Sequence, residues 1–73
     1  MEHEDYETLE AIQQRIDGAS RQLGDLTDLA LQIQDNELFE LFRCEIYLCN
    51  RLGEMLAQAS WRIQNDLRRL AGR

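Results

Sequence analysis

Apolar residues recur along the first half of the chain at a helical period. Leu9, Ile12, Ile16, Ala19, Leu23, Leu26, Ala30 and Ile33 follow one another at alternating steps of three and four. That is an unbroken heptad seam, the pattern that knobs-into-holes packing requires. A second run starts at Leu38 and continues through Phe42, Ile46, Cys49, Leu52, Leu56, Ala59, Ile63, Leu67 and Leu70. Between the two runs, Gln34-Asp35-Asn36 is the natural place for a reversal. Asp35 or Asn36 fits the cap of the next helix, and Glu37 and Glu40 then lie in its first turn, where the helix dipole favours acids. Gly72 supplies a stop. Strands have little to be made from, because the chain has no valine and no run of β-branched residues.

The pattern predicts an all-α antiparallel helical hairpin in a single domain, with helix one over about 5–34, a turn at 35–36 and helix two over about 37–71. Gly18 and Gly24 fall on the outer face of helix one, where each weakens the helix by about 1 kcal/mol relative to alanine without interrupting the seam. A break near Gly18, giving three helices, is one alternative. A continuous helix pairing with a second chain is the main rival to the hairpin.

Helix two carries more apolar surface than one partner helix covers. With Cys49 and Leu56 at a positions, Leu41, Leu48 and Met55 fall at g, Cys44 at c, and Tyr47 and Trp61 at f. An ordinary amphipathic hairpin helix is polar there. Aromatics, methionine and arginine are the residue types enriched where proteins bind proteins, and a contiguous apolar face needs a cover. Chain length points the same way: at 73 residues a lone core is marginal, and chains below about 80 residues usually need a staple. A second copy is the simplest one, giving a homodimeric four-helix bundle. Leu41, Phe42, Leu48, Cys49 and Met55 are the expected dimer interface. Tyr47, Arg51, Glu54, Trp61 and Arg62 are the expected docking residues for another intracellular protein.

Charge refines the register more than the function. The formal net charge is −6, from 14 acidic residues against 8 arginines, with no lysine. Residues 1–40 carry a net −9 and residues 41–73 a net +3. Folding at Asp35-Asn36 therefore places Glu4, Glu7 and Glu10 opposite Arg62, Arg68 and Arg69. Each such surface pair is worth only about 0–1 kcal/mol, but together they favour one register. The acidic balance argues against a nonspecific nucleic-acid binder; Arg68-Arg69 with Arg73 is a weak basic footprint beside the N-terminal acids. A carboxylate-lined mimic of DNA fits less well than a solvated, self-complementary face. Arginine-only usage suggests a GC-rich bacterial or phage genome.

Catalytic chemistry has little to be built from. No phosphate-binding glycine loop, H-E-x-x-H motif or EF-hand loop is present, and the single histidine is His3. Asp25-x-x-Asp28 followed by Glu37-x-x-Glu40 loosely resembles the paired carboxylates of all-helical nucleotide pyrophosphohydrolases of the MazG type. That resemblance would imply magnesium held in a bundle interior. The heptad instead puts these four acids on solvent faces, with too short a spacing between the pairs, so the reading is set aside. Cys44 and Cys49 stand about 140° apart on a helix and lack a zinc-site spacing, so they read as reduced thiols. No cofactor or metal is expected, and the chain reads as not an enzyme. The acidic start is unlike a signal peptide, and the longest apolar run, Ile46 to Cys49, is far too short to span a bilayer, which points to a soluble cytoplasmic protein.

The functional expectation is a small non-catalytic regulator, inhibitor or adaptor that docks on a larger bacterial protein. The alternatives are an assembly subunit or co-chaperone of a secretion or phage-particle pathway, and a dimeric nucleic-acid-associated protein.

Overall fold

A computed structural model describes residues 3–72; Met1, Glu2 and Arg73, the last of these part of the basic end noted above, lie outside the described residues. Two helices, α1 (His3–Ala30) and α2 (Asn36–Ala71), run antiparallel and pack along their lengths as a hairpin. The rod measures 55 × 15 × 13 Å. α1 runs unbroken through Gly18 and Gly24, and the reversal excludes the continuous-helix rival.

Glu4 and Asp5 occupy the first turn of α1, at its positive dipole end. The helix stops three residues before the apolar pattern does. Gln32 N–H donates to the Leu29 carbonyl and Ile33 N–H to the Ala30 carbonyl, each at 3.1 Å. These three-residue bonds tighten the chain after the last turn and satisfy carbonyls that the helix leaves open. The tightening turns Ile33 back toward Phe42 and Ile46 on α2. Asp35, in extended conformation at φ −73° and ψ 114°, caps α2: its Oδ1 accepts from Leu38 N–H at 3.1 Å and its carbonyl from Phe39 N–H at 2.9 Å. Asn36, the other cap candidate, is the first helical residue. Gly72 ends α2 with its N–H bonded to the Arg68 carbonyl, in a right-handed conformation that does not call on glycine's extra freedom.

The helix–helix contact is not centred on the most apolar stripe. It runs through Gln13, Ser20 and Thr27 of α1 and through Ile46, Gly53, Ser60 and Leu67 of α2. Half-buried Leu9, Ile16, Leu23, Cys49, Leu56, Ile63 and Leu70 flank it. Ile12, Leu26 and Leu52, expected inside the seam, are 44%, 48% and 48% exposed, and Leu38 and Phe42 are also exposed. Leu67 is the one buried hydrophobic residue among those described, and Ser60 is buried as deeply.

Small residues explain the rotation. Gly53 lets the backbones approach closely: a Cβ at that position would stand 3.2 Å from the Leu23 Cβ and 3.6 Å from the Ser20 carbonyl oxygen. At that separation the Ser20 hydroxyl donates to the Gly53 carbonyl at 2.9 Å, and Gln13 Nε2 donates to Ser60 Oγ at 3.0 Å. A seam centred on Ile12, Leu26 and Leu52 would hold the helices farther apart and cost these bonds, each worth about 1 kcal/mol. Gln13 and Ser20 are seven residues apart, as are Gly53 and Ser60. Both bonds therefore close together only in one register.

The expected charge pairing across the hairpin does not form among the described residues. Every such contact lies within a helix at a spacing of three or four: the ion pairs Asp17–Arg21, Glu40–Arg43, Arg51–Glu54 and Asp66–Arg69, and the contact of the His3 imidazole with Glu7. Once the seam is centred on Gln13 and Ser20, Glu4 sits on an outward row and Glu7 on the side row of Gln14 and Arg21, and a side chain one turn away is within easier reach than one on the other helix. Register is set by the two polar clasps, not by the charged ends.

Candidate interaction surface

On each helix, a residue one position from the seam points about 100° away from it. In an antiparallel pair, the residues one position earlier on both helices share one side of the hairpin, and the residues one position later share the other. One side therefore carries Ile12, Ala19 and Leu26 of α1 beside Glu45, Leu52, Ala59 and Asp66 of α2. The other carries Gln14, Arg21 and Asp28 beside Tyr47, Glu54, Trp61 and Arg68.

The first side is apolar along most of its length. Toward the turn it opens into a groove of about 210 Å³ lined by Leu26, Ala30, Ile33, Phe42, Ile46 and Cys49, with Glu45 at its edge. Its outer row on α2 is Leu41, Leu48, Met55 and Arg62, all exposed. All five residues expected at a dimer interface thus fall on this side: Phe42 and Cys49 within the groove, Leu41, Leu48 and Met55 beside it. The sequence pattern did not identify Ile12, Leu26 and Leu52 as surface residues. The signal that finds them is the heptad spacing of Gly53 and Ser60 with Leu67, matched by Gln13, Ser20 and Thr27: small and polar residues at seam positions draw the contact off the apolar stripe.

The second side is polar, with two aromatics standing out of it. Tyr47 and Trp61 are 62% and 64% exposed, fourteen residues apart on one row with Glu54 midway. Arg51, on the neighbouring outward row with Cys44, holds Glu54 at 3.0 Å. Four of the five expected docking residues are therefore together. Arg62 parts from them and joins the outer row of the apolar side. A polar recess lined by Gln13, Gln14, Asp17, Arg21 and Gln64 lies on the Tyr47–Trp61 side.

Asp25, Asp28, Glu37 and Glu40 are exposed and do not converge, and Glu40 is engaged by Arg43. No group of three or more histidine, cysteine or acidic residues able to hold a metal occurs among the described residues. Cys44 and Cys49 are free thiols, the first exposed and the second half-buried. No described helix is long and apolar enough to cross a membrane. No protein-family profile, curated protein or solved structure matches this chain.

Proposed function

We propose that this chain is a small non-catalytic protein-binding module, a regulator, inhibitor or adaptor that acts by laying one face of α2 on a larger protein. The observation that carries the reading is the Tyr47–Glu54–Trp61 row. Two exposed aromatics project from an otherwise polar side, and fourteen residues of helix set them about 21 Å apart. Aromatic side chains fill pockets at the centres of interfaces at low entropic cost, and a helix presenting anchors two heptads apart suits an elongated groove on its partner. The Arg51–Glu54 pair between them adds polar contacts at the rim of such an interface.

Affinity capture with the tagged chain, followed by reconstitution of the complex from purified components, tests this. Trp61→Ala and Tyr47→Ala are each expected to weaken the reconstituted complex at least tenfold while leaving the helical circular dichroism signal unchanged. Binding of the same partner with unaltered affinity by both variants would remove the docking role from this row.

A further inference from the structure

We infer that the apolar side of the hairpin, the one bearing Ile12, Leu26, Leu52 and Met55, is covered by a second copy of this chain. This inference concerns the side opposite Tyr47 and Trp61, so it stands or falls separately from the docking role proposed above.

Surface area is the first argument. A compact monomer of 8.6 kDa is expected to expose about 4,700 Å². This hairpin exposes 6164 Å², an excess of about 1,500 Å² per chain. Two copies that each withdraw this excess bury about 3,000 Å² in all, within the range of obligate homodimers. The hairpin alone has almost no interior, with Leu67 its one buried hydrophobic residue among those described, so the association would supply the core that a single copy lacks.

Shape and charge decide in favour of a second copy over an unrelated partner. The apolar side is shared by both helices and extends from Ile12 level with Ala59 to Leu26 level with Leu48, a strip that another hairpin of the same length and width matches. Its charged members on α2 are of both signs: Glu45 and Asp66 on one row, Arg62 and Arg69 on the next. A rim of one sign would select a partner of the opposite sign, whereas a mixed rim can complement itself across a two-fold axis. Face-to-face packing of two such sides gives a four-helix bundle with Ile12, Leu26 and Leu52 in its interior.

Light scattering on a size column, applied to the full chain at micromolar concentration, is expected to give twice the 8.6 kDa chain mass. Leu52→Glu and Leu26→Glu should each raise the dimer dissociation constant at least tenfold, while Trp61→Ala leaves it unchanged. Trp61 is the single tryptophan, which gives a readout that does not depend on any variant folding. In the unmodified dimer its fluorescence should remain quenchable by acrylamide like that of a free indole. A monomer at micromolar concentration overturns the inference and leaves the apolar side to a different occupant. A dimer in which Trp61 is shielded from the quencher, or one that Trp61→Ala dissociates, overturns it equally, by placing the contact on the other side.

Discussion

Gly53 stands so close to Leu23 and to the Ser20 carbonyl that side-chain size at this one position sets the separation of the two helices. A branched side chain there has only rigid atoms to push against, so Gly53→Val should destabilise the fold by about 2 kcal/mol despite removing a helix-weakening glycine. Gly18 and Gly24 provide the contrast. A Cβ at either meets nothing within 4 Å, so Gly18→Ala and Gly24→Ala should each stabilise by about 0.5–1 kcal/mol. Urea denaturation of the three variants checks both signs in one series. Ser20→Ala removes the hydroxyl that bridges to the Gly53 carbonyl and should lower stability by about 1 kcal/mol in the same assay. The sequence shows four glycines but not which one is pressed against a neighbouring backbone. Gly18, whose place in α1 raised the prospect of a break, turns out to lie in open space, and Gly53 carries the packing.

Among the elements, the second helix is the more legible of the two. Its start was readable to within one residue because capping is local: of the two candidates, Asp35 and Asn36, it is Asp35 that accepts from Leu38 N–H three residues on. Asp35→Ala should cost about 1 kcal/mol, observed as a lower thermal midpoint with helical content otherwise kept. The end of the first helix was less legible. Ile33 continues the heptad pattern, yet it belongs to the connection, because closing the turn against Phe42 takes it out of the helix. Periodicity reports which residues are apolar together. It does not distinguish a side chain in the helix from one that the turn folds back onto the same surface.

At the scale of the whole molecule, a rod with so little interior should draw its stability from association. The thermal midpoint of the unmodified chain is therefore expected to fall on dilution, since anything that binds only the folded state stabilises it by mass action. A midpoint independent of concentration over two decades would show a hairpin that stands alone. Helical spacing made the grouping of the candidate surface residues legible, with one exception. Tyr47, Arg51, Glu54 and Trp61 were readable as one group, and Leu41, Phe42, Leu48, Cys49 and Met55 as another, because helical spacing separates them. Arg62 was assigned beside Trp61 by its place in the chain, although one residue of helix turns it about 100° away.

The sequence by itself determined the two helices, the reversal at Asp35-Asn36 and the existence of surplus apolar surface, since propensity, capping and periodicity all act within a few residues. Only the tertiary structure decided which apolar residues meet inside the hairpin and which face outward. That choice depends on how closely two backbones approach, and Gly53 allows an approach at which Ser20 reaches the Gly53 carbonyl and Gln13 reaches Ser60. The contact therefore closes on small and polar residues and leaves Ile12, Leu26 and Leu52 on the surface.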